Sequence, residues 1–202
     1  MSNLEKYLKY YFLEEYLFKE VHNNFQKHGF LTPEEFFAIV IWKSNRAKTK
    51  FKNESRGVVN SKTIRDVTER LDKLARNTSK NELEMLDSIM SLSGIGIPMA
   101  SAILTVCYPD YFTLVDYRAK SSLVKFLNNE VKVMRGEIKS NLKNLFGADP
   151  QNSPKAYLKY CKRCRDEADN IKVSLRNFDR MLFGKDFYEG EGGLKQLVEE
   201  LK

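Results

Sequence analysis

Apolar residues recur at three- and four-residue spacing along most of this chain, the period of helices that bury one face. In residues 3–26 the series Leu4, Tyr7, Leu8, Tyr11, Phe12, Tyr16, Leu17, Val21 and Phe25 predicts an amphipathic helix. A second helix is predicted from Pro33. Thr32 stands there as the cap, Pro33 opens the first turn, and Glu34 and Glu35 lie at the positive end of the dipole. Its apolar positions Phe36, Phe37, Ile39, Val40 and Ile41 lead into Trp42, Lys43, Ser44, Asn45 and Arg46. Residues 48–59 are polar, carry Gly57 and read as a loop or a link between lobes. A cap at Asn60 or Ser61 begins a helix through Leu74, with Ile64, Val67, Leu71 and Leu74 along one face. Residues 80–90 form another, turning Leu83, Leu86 and Ile89 or Met90 inward.

The pattern breaks at residues 92–104, Leu-Ser-Gly-Ile-Gly-Ile-Pro-Met-Ala-Ser-Ala-Ile-Leu. Two glycines one residue apart separate two apolar-periodic runs, so one helix ends, the chain turns tightly, and a new helix starts at Pro98. Gly94 suits a left-handed position past a helix end, and Gly96 has no side chain to hold another molecule away from the backbone. Free N–H groups at the start of the second helix, aligned with its dipole, make an anion site that a nucleic-acid phosphate fits. Beyond it, Tyr108-Pro109-Asp110 is a turn signal and residues 112–115 form a short apolar segment leading to Asp116. Helices are predicted over 117–127, 132–146, 154–169, 172–183 and 194–201, with a break at 148–153. No stretch reads as a strand and none repeats, so the expected fold class is all-α.

With 202 residues, 42% of them hydrophobic, the chain can bury a core, which argues against a disordered protein. Lys and Arg number 34 against 27 acidic residues, a formal charge of +7 that favours polyanionic partners. No apolar run approaches the ~18 residues of a membrane span. Cys107, Cys161 and Cys164 are too few and too unevenly spaced for a disulfide framework, and the charged, aromatic start does not read as a signal peptide. A cytoplasmic, monomeric protein without membrane association is expected.

Leu92, Gly94, Ile95, Gly96 and Ala100, followed by Val115-Asp116, resemble the helix–hairpin–helix DNA glycosylases, the superfamily of endonuclease III, the adenine glycosylase and the alkylpurine glycosylases. The specific match covers about 25 residues around the L-x-G-[VI]-G pattern and its later aspartate. Trp42-Lys43-Ser44 with Arg46, Tyr117-Arg118-Ala119 and Arg176-Asn177-Phe178-Asp179 extend the resemblance to small stand-alone bacterial members. The resemblance implies double-stranded DNA as partner, with a base flipped out of the stack. It also implies a two-lobed helical fold whose hairpin borders the cleft, and a monovalent cation on the hairpin's backbone carbonyls. Residues 1–48 together with 117–202 would form the terminal lobe, and 49–116 the middle lobe. The bifunctional relatives carry a lysine where this chain has Pro98, so no Schiff base and no strand cleavage are expected. Cys161 and Cys164 form one pair with Cys107 far off, unlike the four spaced cysteines of the iron–sulfur relatives. No cluster, metal or other required cofactor is expected.

Breaking an N-glycosidic bond builds positive charge on the sugar, and a fixed carboxylate can stabilise it and direct a water. Asp116 is the expected catalytic residue; an aspartate there also suits an N-cap for the helix from Tyr117. Lys120, four residues on, would meet Asp116 on one helical face as an ion pair, or less favourably serve as a Schiff-base lysine, with Lys125 a weaker candidate. Gly94, Ile95 and Gly96, helped by Lys43, Arg46 and Arg118, are expected to contact phosphates. Trp42, Phe112 and Tyr117 are candidates for the base pocket, against core packing as the plainer role for each. His22 and His28 read as surface or packed residues. The expected function is a monofunctional DNA glycosylase acting on a damaged or modified base. The alternatives are a non-catalytic hairpin module of a repair or defence system, or a helical protein-interaction domain.

Overall fold

The computed structural model describes residues 10, 12–44, 60–77, 81–128, 135–190 and 193–200, and all regular structure among them is helical. Helix α1 runs through Leu13–Tyr16, a π-helical turn Leu17–Val21, and His22–His28. It is followed by α2 (Pro33–Lys43), α3 (Ser61–Arg76), α4 (Glu82–Met90) and α5 (Ile97–Cys107). Then come α6 (Tyr117–Leu127), α7 (Arg135–Phe146), α8 (Pro154–Asn170), α9 (Leu175–Glu189) and α10 (Leu194–Glu199). No helix among the described residues is long and apolar enough to cross a membrane. The predicted loop at 48–59 lies outside the described residues.

Short polar side chains decide where most of these helices begin. Thr32 Oγ1 accepts from Glu35 N at 3.2 Å while Glu35 Oε2 accepts from Thr32 N at 2.8 Å, a reciprocal capping box. Asn60, not Ser61, caps α3, accepting from Lys62 N and Thr63 N at 3.0 Å each. Asn81, Asp116, Ser153 and Ser174 cap α4, α6, α8 and α9. The helix predicted over 172–183 starts and ends later than expected. Lys172 takes a left-handed φ of 58° that breaks the chain after α8, and the Ser174 cap then sets the new start. The helix continues through Gly184 to Glu189.

Two compact units divide the chain, Met1–Tyr108 and Pro109–Lys202. This differs from the expected lobes, which joined 1–48 to 117–202 and set 49–116 apart, because α1 and α2 pack on α5 inside the first unit. Helix α5 is buried along almost its whole length, and Ala100, Ser101 and Ala102 let its neighbours approach closely. Its last carbonyls are satisfied from α1: His22 Nδ1 donates to Val106 O at 2.9 Å and Gln26 Nε2 to Cys107 O at 2.7 Å. His22 is therefore a packed residue. At its end, α1 stops on Gly29, whose φ of 76° is left-handed.

In the second unit α6 packs on α9 and α7, and α8 packs on α7 and α9. Phe126 meets Phe178 edge-on at 5.7 Å, and Phe146 meets Tyr160 at 5.8 Å. Lys120 corrects the expectation of a pair with Asp116: its ammonium bonds both carboxylate oxygens of Asp149, at 2.6 and 2.9 Å. The reason is local. Asp116 occupies the capping position, with Oδ1 turned to the N–H of Ala119. The Lys120 side chain is only 4% exposed against 27% for Asp149, so the ion pair anchors the α7–α8 turn to a cation shut away from water.

That asymmetry predicts unequal costs. Lys120→Met leaves a carboxylate that water can reach, and is expected to cost about 2 kcal/mol. Asp149→Ala strands a buried ammonium and is expected to cost more. Chemical denaturation of both variants checks the order, and an equal or reversed cost would show that the pair is not anchored on Lys120.

Candidate functional site

The hairpin of the first unit is built by a turn with different demands at its two glycines. Ile95 N donates to Leu92 O at 3.1 Å, closing a four-residue turn in which Gly94 is third, with φ of 80°. That is the position at which a type II turn requires left-handed backbone. Gly96 is the N-cap of α5, in an extended conformation (φ −95°, ψ 173°) open to any residue. Among the described residues, a Cβ built on it would meet Pro98 Cδ alone, at an ordinary 3.8 Å. The fold therefore demands a glycine at 94 and makes no such demand at 96.

Helix α5 starts one residue before the expected Pro98, which occupies the second helical position. Gly96 O already accepts from Met99 N and Ala100 N, at 3.0 and 2.9 Å, and proline has no N–H. The donors left at this start are the N–H groups of Gly96 and Ile97, and among the described residues no partner takes them up. Gly94 and Gly96 are exposed, whereas Ile95 between them is buried in the first unit. Trp42 and Lys43 lie at the end of α2, with the Trp42 ring edge-on to Phe18 at 5.6 Å. Arg46 lies outside the described residues.

In the second unit, Asp116, Tyr117 and Arg118 stand together at the start of α6. Asp116 is extended (φ −147°, ψ −179°) and partly buried, and its Oδ1 accepts from Ala119 N at 2.9 Å. The N-cap role foreseen for it is thus present. Tyr117 and Arg118 are exposed. Phe112 is fully buried in the second unit, in keeping with core packing, the plainer of its two expected roles.

Two neighbours of this site on α9 were not foreseen. Arg118 Nε lies 3.7 Å from Asp186 Oδ2, and its guanidinium lies 5.7 Å from the centre of the exposed Phe183 ring. Burial raises the Asp186 carboxyl above its ordinary range; Lys125 and Arg118 pull it down, and the negative Asp116 pushes it up again. Asp186 thus belongs to the electrostatic surroundings of Asp116, although seventy positions separate them in the chain. The periodicity of α9 marks Phe178 and Leu182 as inward but carries no sign of this ion pair. The thiols are remote in character: among the described residues Cys107, Cys161 and Cys164 form no disulfide and are buried, and burial raises the Cys107 and Cys164 thiols well above their ordinary range.

Comparison of the chain with protein-family models, with curated proteins and with solved structures gives no match.

Asp186 predicts a pH signature. A carboxyl whose folded pKa is raised contributes stability below the unfolded value and loses it as pH rises through the folded one. Asp186→Asn is therefore expected to be more stable than the parent at pH 7, with the gain vanishing as pH falls toward about 4, the unfolded aspartate range. Thermal unfolding of both proteins across this range checks it. A variant less stable at pH 7 would mean that the Arg118 pair outweighs burial.

Proposed function

We propose that this chain is a monofunctional DNA glycosylase, docking duplex DNA through the 92–97 hairpin and using Asp116 in base release. The observation that carries the reading is Gly96: an exposed glycine whose backbone any residue could adopt, at a turn that opens onto a long buried helix. A missing side chain there serves the approach of something outside the chain, and the open N–H groups of Gly96 and Ile97 match a phosphate oxygen. The formal charge of +7 favours the same partner.

In this reading the C1′–N bond of a flipped nucleotide breaks while a water oxygen bonds C1′. The Asp116 carboxylate stabilises the cationic sugar and takes the water's proton, and a proton is returned to the departing base. Pro98 has no amine to attack C1′. Lys120 is engaged through its Nζ by both oxygens of Asp149 and turned away from Asp116, so it is not placed as an alternative amine. Both features favour base release without strand cleavage.

A second reading is favoured by the hydrogen bond from Ala119 N to Asp116 Oδ1, since a cap alone accounts for an aspartate at this position. The chain would then be a DNA-docking module without activity.

One variant separates the two. Asparagine caps a helix as well as aspartate does, so Asp116→Asn keeps the fold while removing the negative charge. Base release, measured with a panel of duplexes carrying different modified bases and developed with hot alkali, is expected to fall by about 10²-fold or more, with duplex affinity retained and no borohydride-trapped adduct. Undiminished release would remove Asp116 from the chemistry, and no release from any duplex by the parent chain would favour the docking module. For the hairpin, Gly96→Ala is expected to keep thermal stability while weakening duplex binding, whereas Gly94→Ala costs about 1 kcal/mol or more in stability. Unchanged affinity in Gly96→Ala would contradict the docking site.

A further inference from the structure

Helix α8 sends three side-chain donors to three carbonyls of the segment that leads to Asp116. The Arg165 guanidinium donates to Tyr111 O, the Tyr157 hydroxyl to Thr113 O at 3.1 Å, and the Tyr160 hydroxyl to Leu114 O at 3.3 Å. Both tyrosines are fully buried, as are Phe112, Thr113 and Val115 in the segment they hold. The segment is irregular, with no helix or strand ladder to take its carbonyls, so donors must come from elsewhere in the fold. Burial also raises both phenols far above their ordinary range, so each keeps its proton and remains a donor at any working pH.

We propose that Tyr157 and Tyr160 are positioning residues for the Asp116 carboxylate. The assignment rests on the catalytic reading of Asp116 given above. Asp116 sits between two fixed points. On its far side it is tied into α6 by the bond from Ala119 N to Oδ1, and on its near side the Leu114 carbonyl, two residues earlier, is tied to Tyr160. The Thr113 bond fixes the adjacent peptide and so prevents the segment from pivoting about Leu114. A carboxylate that must face C1′ to within a fraction of an ångström depends on such fixing, because a misplacement of about 1 Å can cost 10²-fold in rate. A phenylalanine at either position would fill the same space in the core. What it would lack is the hydroxyl, and both hydroxyls address this one segment.

The test uses the full chain carrying Tyr157→Phe, Tyr160→Phe and both together, with Tyr108→Phe as a control. Tyr108 donates to Asp72 at 3.4 Å in the first unit, so its loss reports the general cost of removing a tyrosine hydroxyl. On the modified duplex that the parent chain accepts, the double variant is expected to lose 10- to 100-fold in kcat with KM unchanged within about twofold. Tyr108→Phe is expected to keep kcat whatever it does to the melting temperature. Hydrogen exchange of the Ala119 amide, the partner of Asp116, is expected to quicken at least tenfold in the double variant and to stay unchanged in the control. A kcat equal to that of Tyr108→Phe, or a fall shared equally with a rise in KM, would overturn the proposal. If the double variant does not fold, the single variants carry the same readouts. Should the parent chain release no base at all, the catalytic reading fails by itself. The Ala119 exchange then decides the positioning, and an unchanged rate in the tyrosine variants overturns it.

Discussion

A buried carbonyl must find a donor, and in both units of this protein the donor comes from a helix far away in sequence. In the first unit α5 is buried along almost its whole length, and its final carbonyls end inside the fold, where His22 and Gln26 of α1 reach them. In the second, the chain between Tyr108 and α6 has no secondary structure of its own, and the hydroxyls of Tyr157 and Tyr160 hold it from α8. An unsatisfied buried polar group costs about 1–3 kcal/mol, a large part of the margin by which a domain of this size stays folded. These contacts therefore fix how α1 meets α5 and how the route to Asp116 runs past α8.

The hairpin illustrates how two similar residues can answer to different constraints. Gly94 is required by backbone geometry, since its φ of 80° belongs to the left-handed region that side chains oppose. Gly96 is extended and has room for a methyl group, so its identity points outward, to the proposed phosphate. Every other long helix whose cap is described, from α2 to α9, begins on a side-chain acceptor.

Around Asp116 the charges are arranged unevenly. Asp116 holds the start of α6, Arg118 leans to Asp186 and Phe183 on α9, and Lys120 turns inward to Asp149. Three residues within five positions thus reach three different elements, because successive helical positions point about 100° apart and the capping residue lies off the helical wall. Burial raises the Asp186 carboxyl, Lys125 and Arg118 pull it down, and the charge of Asp116 adds the smallest push, upward.

By itself the sequence determined the helical class, most helix starts, the Gly94 turn and the N-cap position of Asp116, because each depends on residues within one or two turns of one another. A cap, a left-handed glycine and an apolar stripe are local devices, and their residue types announce them. Tertiary structure alone decided the partner of Lys120, the burial of Phe112, the two compact units and the nearness of Asp186 to Asp116. It also decided the hydrogen-bond partners of Tyr157 and Tyr160, since the carbonyls their hydroxyls reach lie 44 and 46 positions earlier. A hydrophobic period shows which way a side chain faces, but a hydrogen bond across the core depends on how two elements pack, and that is settled only when the whole unit closes around it.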